Sequence, residues 1–463
     1  MKISEISKTT WLLIGITIIA AFLRIYNLGR ESLWLDEAAT KMFVESGFWG
    51  MWEHFTTWEP NPPLNVWLTI PFYALYKSEF TLRLIPALAG IATVPAVYYL
   101  GKVWRNSTIG LAAAALIAFS PLHIYYSQEA RAYSLVTFLS VLMLWSFLTA
   151  RKTNEYKWWI LTAIFSALAL WTHYYVLILI GVIYAYALYE AGIPGKEFRV
   201  KEKLKRVLPS IVIFIWLTLP ITLVGYYLAT KRFSAGAVFG LTGFNVVINL
   251  LWNFGNYTNW IAVIFVALFC IGIYSIHKQD SSKSFFLLFL VTVSCGASIL
   301  LSYKIPIVSR YLLFLLPIYI VVLAEPITML KDRRLQALAV CGLIALSAPS
   351  FSIYYSGTYI KDDWRGFGSY LSDTTNAGDT VILAPSYLEL PLSNYYNSSV
   401  DGVTIVPVQS VSELTSNITQ GSTWVVLTPD VNAVPTARDI PQWLQKNAKP
   451  INRWVYNIDL YHI

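Results

Sequence analysis

The stretch Ser32-Leu33-Trp34-Leu35-Asp36-Glu37-Ala38 follows the first strongly apolar run of the chain, which extends from Trp11 to about Leu28. It marks the point at which a membrane-spanning helix ends and water begins. A tryptophan anchor beside two adjacent carboxylates would place a base near a substrate carried by a lipid. Asp and Glu are also favoured in the first turn of a helix, so the two acids could instead simply cap a juxtamembrane helix. The rest of the chain favours the first interpretation.

The composition excludes a soluble globular protein. Of the 463 residues, 56% are hydrophobic and 13% are charged, whereas soluble domains carry about 25% charged residues. The net charge of +8 comes from short basic clusters between apolar runs, a pattern that orients membrane proteins and needs no nucleic acid partner. Cys270, Cys295 and Cys341 each lie inside an apolar segment, which excludes a disulfide framework and a CxxC metal site.

Eleven apolar runs are each about long enough to cross the ~30 Å of hydrocarbon in a bilayer. The first begins at Trp11, and because no small-residue cleavage site follows it, we interpret it as an uncleaved span with its amino end in the cytoplasm. The sequence therefore predicts a polytopic α-helical membrane protein. The other ten runs lie near Leu82–Gly101, Thr108–Tyr126, Tyr133–Ala150, Trp158–His173, Tyr174–Tyr189, Val207–Leu228, Trp260–Ile276, Phe285–Ser302, Tyr311–Leu330 and Leu335–Ser350.

The loops between these runs differ in charge. Basic residues collect on one side, at Lys102/Arg105, Arg151/Lys152/Lys157, the six Lys and Arg between Lys196 and Arg206, Lys278/Lys283 and Lys331/Arg333/Arg334. By the positive-inside tendency this side is the cytoplasm. An odd number of spans then leaves the following groups on the extracytoplasmic face of the plasma membrane: Asp36, Glu129, Arg131, His173, Arg310 and the whole carboxy-terminal region.

Two regions outside the spans complete the predicted organisation. The first outer loop, about residues 29–80, holds amphipathic stretches that we expect to lie on the membrane surface. A change of composition divides a membrane domain, residues 1–354, from a soluble extracytoplasmic domain, residues 355–463. In the latter, Asp362-Asp363-Trp364 opens a predicted helix that runs to about Thr375. A small α/β fold is predicted by short β-like runs at Thr380–Ala384, Val403–Val406, Trp424–Thr428 and Trp454–Tyr461.

Ionisable residues at membrane depth are costly and therefore indicate function. Glu129 and Arg131 lie in a very short outer turn, and His173 lies in another tight hairpin. Arg310 enters the tenth span from outside, where its fork of donors suits a phosphate because it can bind two oxygens at once. The alternatives are a local salt bridge or cap for Arg131, a structural hydrogen bond for His173 and contact with lipid headgroups for Arg310.

A glycine-rich outer loop, about residues 234–259, follows Lys231 and Arg232. Its glycines would let it open and close over a site. A solvated connector is the alternative.

Six short motifs occur in order along about residues 10–330. They are Leu33-Trp34-Leu35-Asp36-Glu37-Ala38, Asn61-Pro62-Pro63-Leu64, Arg83-Leu84-Ile85-Pro86, Ser127-Gln128-Glu129-Ala130-Arg131, Thr172-His173-Tyr174 and Arg310-Tyr311. Together they resemble the polyprenyl-phosphate-dependent GT-C glycosyltransferases, in particular the branch of protein O-mannosyltransferases and aminoarabinose transferases. Those families commonly have His where this chain has Asn61. The carboxy-terminal domain resembles the variable outer domain of many members.

The resemblance implies transfer of a monosaccharide from a polyprenyl-phosphate donor to an acceptor hydroxyl, with inversion at the anomeric carbon. Asp36 matches the catalytic acidic position and would act as general base, while Glu37 would orient the acceptor or hold Asp36. Arg131 and Arg310 would stabilise the departing phosphate. The other residues assigned to donor binding are Tyr311, Lys231 and Arg232, and those assigned to the cavity or acceptor are Glu129, His173, Tyr174, Asn61 and Trp34.

Three other functions fit parts of the pattern. A flippase or transporter of lipid-linked sugars would place polar residues near the bilayer midplane, whereas here they collect at outer helix ends. A metal-dependent oligosaccharyltransferase-like enzyme would need a second acidic cluster, to which Glu129 could contribute; a divalent cation is thus an alternative, and no other cofactor is predicted. A membrane receptor would work through its outer domain. The expected partners are the sugar donor, membrane lipids and an acceptor protein, lipid or glycan.

Overall fold

The computed structural model describes residues 7–192, 197–235, 240–355, 360–419, 421–451 and 457–463, without the side chains of 197–203, 232–235, 352–354, 400 and 433. The chain divides into two compact units. The membrane unit comprises Met1–Tyr26, Ser46–Leu75 and Arg83–Ser352, and the sheet unit comprises Asn27–Glu45, Tyr76–Leu82 and Ile353–Ile463. The sheet unit thus includes two pieces of the first loop besides the carboxy-terminal residues.

The membrane unit is helical because helices satisfy their backbone hydrogen bonds within each segment, as a lipid environment requires. Its α-helices are Lys8–Ile25, Gly47–Thr57, Leu64–Leu75, Glu79–Trp104, Ser107–Ala118, Pro121–Ser127, Tyr133–Thr153, Tyr156–Leu170, Leu177–Gly192, Glu197–Ala235, Asn245–Phe254, Asn259–Gln279, Ser281–Leu301, Leu316–Leu323, Arg333–Ala345 and Ala348–Tyr355, with 3-10 turns at Tyr174–Val176, Ser309–Leu315 and Glu325–Met329. The first residues of Glu79–Trp104 and the last of Ala348–Tyr355 fall in the sheet unit.

Among the described residues, eight helices are long and apolar enough to cross a membrane, or nine when the bent pair Ser107–Ala118 and Pro121–Ser127 counts as one span. The protein is therefore a multi-pass membrane protein, as predicted. The count of eleven stays a prediction, because two of the apolar runs fold as Tyr156–Leu170 and Arg333–Ala345, of 15 and 13 residues. Helices of that length reach only about 20 Å, whereas the hydrocarbon is about 30 Å thick.

A buried arginine holds the bend of 62° in that helix pair. The Arg24 guanidinium donates to the carbonyls of Ile117 and Ala118 at 3.1 and 3.0 Å, and lies 2.9 Å from Nδ1 of His123. The last carbonyls of a helix have no partners within the helix, and a cation there is also attracted by the partial negative charge at that end of the helix dipole. Arg24 therefore stabilises the carboxy-terminal end of the helix Ser107–Ala118, where the bend begins.

Polar contacts join several helix ends of the membrane unit that carry basic residues. Arg105 pairs with the buried Glu325 at 2.6 Å, and the ammonium of Lys283 donates to the carbonyl of Trp104 at 2.7 Å. These residues lie at the end of one long helix, the start of another and the end of a third. The basic groups of two loops predicted to face the cytoplasm therefore lie at the same end of the unit.

Two short helices of the first loop, 11 and 12 residues long, carry an aromatic cluster. Phe48 stacks on Trp67 with ring centroids 4.3 Å apart, and Trp52 lies 6.1 Å from Trp67 and 6.3 Å from Trp171. Helices of this length are too short to cross the hydrocarbon. That these helices lie on the membrane surface remains a prediction.

The sheet unit is built on a five-stranded sheet. Its strands are β1 Thr380–Ala384, β2 Thr404–Pro407, β3 Thr423–Leu427, β4 Lys449–Ile451 and β5 Asp459–His462. Their order in the sheet is β2-β1-β3-β5-β4. Strands β1, β2 and β3 are parallel, β5 is antiparallel to β3, and β4 is antiparallel to β5. The helices are Leu35–Glu45, Trp364–Thr374, Glu389–Leu392, Ser398–Asp401, Val411–Ser416 and Ile440–Asn447, with 3-10 turns at Ser386–Leu388 and Pro429–Ala433.

The small α/β fold predicted from the carboxy-terminal sequence is confirmed. Strands β1 to β3 begin and end within one residue of the predicted runs. The first three residues of the fourth predicted run, 454–456, lie outside the described residues, and its last residues form part of β5. The predicted helix begins at Trp364 because the Asp363 carboxylate accepts a hydrogen bond from the N–H of Gly366 at 3.0 Å. Buried apolar side chains form a separate core on each face of the sheet.

Candidate functional site

The two predicted catalytic carboxylates lie in the sheet unit. Asp36 and Glu37 occupy the first turn of the helix Leu35–Glu45, where negative charge is favoured by the helix dipole. The turn is closed by the N–H groups of Glu37 and Ala38, which donate to the carbonyl of Trp34 at 3.0 and 2.9 Å. Asp36 and Trp34 are both half-buried.

Glu37 is paired with a lysine that no local sequence pattern singles out. The ammonium of Lys361 lies 3.0 Å from Oε2 of Glu37, and the exposed fractions of the two side chains are 5% and 0%. The only sequence signal is that Lys361 directly precedes the acidic helix cap. The pair belongs to the sheet unit, and it gives the carboxy-terminal residues a direct contact with the acidic motif.

The membrane unit brings together four aromatic rings, the aromatic cluster of Tyr133, His173, Tyr175 and Tyr311. The centroid of the Tyr311 ring lies 5.0 Å from that of Tyr175, 5.3 Å from that of His173 and 6.1 Å from that of Tyr133. Three different helix ends supply these rings, at the start of Tyr133–Thr153 and in two 3-10 turns. Tyr133 and Tyr175 were not among the predicted site residues, although Tyr133 ends the outer turn that holds Glu129 and Arg131.

Two arginines adjoin the aromatic cluster. The guanidinium carbon of Arg310 lies 5.9 and 5.8 Å from the ring centroids of Tyr133 and Tyr311. Arg131 and Arg310 both act electrostatically on the His173 imidazole, so both cations approach one ring. The structure therefore brings Arg131 and Arg310 near His173, whose ring lies beside that of Tyr311.

Glu129 lies at the same helix ends. Its side chain is fully buried, and its carbonyl accepts a hydrogen bond from the N–H of Arg131 at 2.7 Å. Tyr126 is influenced electrostatically by both Glu129 and Arg310. An acidic side chain thus accompanies the two arginines in the membrane unit.

A cavity of about 520 Å³ adjoins the aromatic cluster, and His173, Tyr175 and Tyr311 are part of its lining. Asn61 and Tyr174, both predicted as cavity residues, also line it. Apolar side chains form most of the remaining wall, among them Leu170, Leu177, Phe214, Ile215, Leu219 and Leu228. Pockets of a few hundred cubic ångströms with mostly apolar walls and a few polar groups at one place are typical of ligand sites.

One glycine shapes the wall of this cavity. A Cβ at Gly225 would lie 2.6 Å from the phenol ring of Tyr174, so only glycine lets the ring pack against the long helix Glu197–Ala235. The Tyr174 hydroxyl donates to the carbonyl of Ile221 on that helix at 2.6 Å. This contact joins the hairpin that carries His173 to the cavity wall.

Of the two cations predicted at the end of the long helix, Lys231 contacts a tyrosine of that same helix. The ammonium of Lys231 lies 4.4 Å from the ring centroid of Tyr227, and the side chain of Arg232 lies outside what the structure describes. The loop predicted at about residues 234–259 is partly helical, and this corrects the prediction. Residues Asn245–Phe254 form a helix because Val246, Leu250 and Phe254 make a buried stripe at helical spacing.

The His173 imidazole is held neutral by its surroundings. Burial, and after it the positive charges of Arg131 and Arg310, lower its pKa to about 3. The side chain therefore cannot serve as a protonated general acid near neutral pH. Its Nδ1 accepts a hydrogen bond from the N–H of Tyr175 at 3.4 Å.

This neutral histidine makes the folded protein sensitive to acid. Because the folded pKa lies below the ordinary value of 6.5, protonation favours unfolding, and stability present above about pH 6.5 is lost as the pH falls toward 3. Both proteins should have a lower melting temperature at about pH 5 than at about pH 7.5. We expect this decrease to be smaller by about 2 °C or more in His173→Phe, which keeps an aromatic ring but cannot be protonated. Thermal unfolding of the purified protein in detergent measures this. Equal losses in both proteins would contradict the assignment.

Within the described part of the chain, no three or more His, Cys, Asp or Glu side chains are grouped so as to hold a metal ion. A divalent cation thus has no preformed ligand cluster among these residues.

One protein family matches part of the chain. Residues 60–220 match the family described as dolichyl-phosphate-mannose-protein mannosyltransferase. This segment contains Asn61, Glu129, Arg131, His173 and Tyr174, whereas Asp36 and Arg310 lie outside it. No curated protein matches the chain.

Solved structures share the fold of the chain at low sequence identity. ArnT from Cupriavidus metallidurans bound to undecaprenyl phosphate is 12% identical, with a TM-score of 0.55 over 98% of each chain. The archaeal oligosaccharyltransferase AglB from Archaeoglobus fulgidus, in complex with an inhibitory peptide and a dolichol-phosphate, is 11% identical, with a TM-score of 0.55 over 96% of this chain and 72% of that one. The oligosaccharyltransferase from the same organism has also been solved with Zn and sulfate, with a TM-score of 0.55, 12% identity and coverage of 91% and 68%. The resemblance to GT-C glycosyltransferases is thus confirmed for the fold.

Proposed function

We propose that the protein is a membrane glycosyltransferase that moves a monosaccharide from a polyprenyl phosphate to an acceptor hydroxyl on the extracytoplasmic face of the plasma membrane. The observation that carries this proposal is the mostly apolar cavity of about 520 Å³ that adjoins the aromatic cluster and its two arginines. An apolar tail and an anionic headgroup are the two parts of a polyprenyl phosphate. The matching mannosyltransferase segment and the neighbours solved with undecaprenyl phosphate and dolichol-phosphate support the same substrate class.

The donor would occupy the membrane unit. The isoprenoid chain would lie along the apolar wall formed by the long helix, where burial of each methylene contributes about 0.8 kcal/mol. The phosphate would lie at Arg131 and Arg310, whose guanidinium forks can each bind two phosphate oxygens. Arg310 is well suited to this because Tyr133 and Tyr311 restrict its orientation. Lys231 and Arg232 would assist the approach of the headgroup.

The chemistry would be a single displacement. A hydroxyl oxygen of the acceptor attacks the anomeric carbon, and the bond from that carbon to the phosphate oxygen breaks. The hydroxyl proton passes to the Asp36 carboxylate, and the electron pair of the broken bond stays on the phosphate. Arg131 and Arg310 stabilise the charge that develops there. Such a displacement inverts the anomeric configuration.

The other residues would shape the site. His173, neutral at working pH, and Tyr174 would contact the sugar or the first part of the lipid, and Glu129 would balance the charge of the arginines. Asn61 would take the position at which the resembling families commonly have His. Trp34 would stack on the acceptor, and Glu37 would hold Asp36.

Purified protein incubated with a panel of polyprenyl-phosphate monosaccharides tests this function. We expect release of free polyprenyl phosphate, measured by mass spectrometry, with at least one sugar and only when an acceptor is present. Nucleotide sugars serve as the control donors and should give no product. Transfer from a nucleotide sugar, or no release from any lipid donor, would contradict the proposal. Movement of the lipid across vesicles without release would instead indicate a flippase.

A further inference from the structure

We propose that Lys361, in the carboxy-terminal part of the chain, is a positioning residue for the acidic motif: it holds the Glu37 carboxylate and thereby fixes the helical turn that carries Asp36. This inference rests on the proposed function. It assigns a role in the reaction to a region whose sequence predicted only a variable outer domain.

The contact itself is buried. The ammonium lies 3.0 Å from Oε2 of Glu37, and the two side chains are 5% and 0% exposed. Removing one partner of such a pair leaves an uncompensated buried charge, whereas an apolar pair of the same size is often at least as stable. A buried ion pair is therefore weak evidence for a purely stabilising role, and fixing a geometry is the role that we infer.

The segment that carries Lys361 is attached to the residues just before the acidic helix. The N–H of Ile360 donates to Oε1 of Glu31 at 2.8 Å. The Ser32 hydroxyl donates to the carbonyl of Asp362 at 2.7 Å and accepts from the N–H of Trp364 at 3.1 Å. Residues separated by about 330 positions in sequence are thus joined by three hydrogen bonds, which hold the segment of Lys361 beside the start of the acidic helix.

A second set of contacts supports the same loop. The N–H of Leu33 donates to the hydroxyl of Tyr395 at 2.8 Å, and that hydroxyl donates to Glu79 at 2.9 Å. The Arg365 guanidinium lies 2.6 Å from Glu79 and donates to the carbonyl of Arg30 at 2.9 Å. The backbone on the amino-terminal side of the acidic helix is therefore fixed independently of Lys361, and the lysine acts on the helix turn itself.

Adjacent positions on a helix move together because the turn is rigid. Glu37 follows Asp36 in one turn that is closed by bonds to Trp34, so a fixed Glu37 limits rotation of Asp36 about the helix axis. The Thr40 hydroxyl adds a bond to the carbonyl of Asp36 at 3.0 Å. Misplacement of a reacting group by about 1 Å can cost 10²-fold in rate.

The test replaces Lys361 with Met, which keeps the length of the side chain and removes its charge. We expect kcat to fall about 10-fold or more with little change in KM for the lipid donor, and Lys361→Arg to recover most of the loss. A carboxylate buried without its cation takes up a proton more readily, so the acid limb of the pH–kcat profile should move to higher pH in Lys361→Met. A merely structural role would lower the amount of folded enzyme without moving this limb.

The titration of other charged groups near the turn must be distinguished from that of Glu37. The elements packed against it carry Asp36 and Lys41 on the same helix, Asp362 beside Lys361, and Glu389 on the neighbouring helix. Burial raises the pKa of Asp362 to about 6, so its titration falls in the same range of pH. The profiles are therefore measured in an Asp362→Asn background as well, where the shift caused by Lys361→Met should persist.

Lys41→Met is the matched control. Lys41 pairs with Glu45 at 3.0 Å on the same helix, but the two side chains are 27% and 40% exposed, and exposed pairs contribute little. We expect an unchanged pH profile. If folded Lys361→Met transferred sugar at the wild-type rate with an unshifted acid limb, or if Lys41→Met showed the same shift, this inference would be overturned and the proposed function would stand. No transfer by the wild type with any lipid donor would overturn the proposed function and this inference with it.

Discussion

Replacing Asp36 with Asn is expected to slow sugar transfer by a factor of about 10² to 10⁴, the usual contribution of a general base. The amide has nearly the same shape as the carboxylate but cannot take the proton of the acceptor hydroxyl. Binding of the donor should be unchanged, because Asp36 acts only on the acceptor. Initial rates of polyprenyl phosphate release, together with direct binding of the unreacted donor, measure the two effects separately.

The matched control for this variant lies on the same helix. Glu45 ends the helix that Asp36 begins, and its ion pair with Lys41 is exposed. Glu45→Gln should therefore transfer sugar at the wild-type rate. An Asp36→Asn protein that is folded and transfers sugar within a factor of about 3 of the wild type would remove the assignment of the base.

Replacing Arg310 with Met is expected to lower the rate of transfer by about 10² to 10³, comparable to the loss of one donor that stabilises a developing charge. The guanidinium lies over the rings of Tyr133 and Tyr311, which hold it in one orientation. Arg310→Lys should recover only part of the rate, because an ammonium keeps the charge but cannot form the paired hydrogen bonds. Rates measured over a series of donor concentrations separate the loss in kcat from any loss in donor binding.

Lys304 provides the control for the arginine. It lies in the same connection between helices and is exposed, so Lys304→Met removes a positive charge of that region without altering the aromatic cluster. Its rate should stay within a factor of about 2 of the wild type, since a charge in water contributes little. If Lys304→Met and Arg310→Met lost activity equally, net charge rather than the fixed guanidinium would explain the effect.

Local sequence patterns predicted the parts of the fold that local physics decides. The run Thr380–Ala384 forms β1 with the predicted limits, because an unbroken apolar run flanked by turn residues suits a strand buried on both faces. Asp363 starts the helix predicted after it, since a carboxylate at that position satisfies a free N–H. Apolar runs likewise predicted the membrane helices, although run length alone did not separate full spans from the shorter helix Tyr156–Leu170.

Contacts between distant segments were beyond those patterns. The partner of Glu37 lies more than 300 positions away in the sequence. No local pattern distinguishes Lys361 from other lysines, and only the folded backbone places its ammonium 3.0 Å from the carboxylate. The grouping of His173 with Arg310 also depends on helix packing. Sequence could still identify the two residues as candidates, because an ionisable side chain at a membrane helix end is costly unless it has a role. The helix within the predicted glycine-rich loop was missed because the glycines outweighed the apolar stripe beginning at Val246.

The central claim is that an acidic side chain activates the acceptor for direct displacement of the lipid phosphate. The anomeric configuration of the product, determined by NMR for a donor of known configuration, tests this claim most directly. Inversion is the predicted result. Retention of the donor configuration would contradict a single displacement with Asp36 as the base, and would require a covalent intermediate instead.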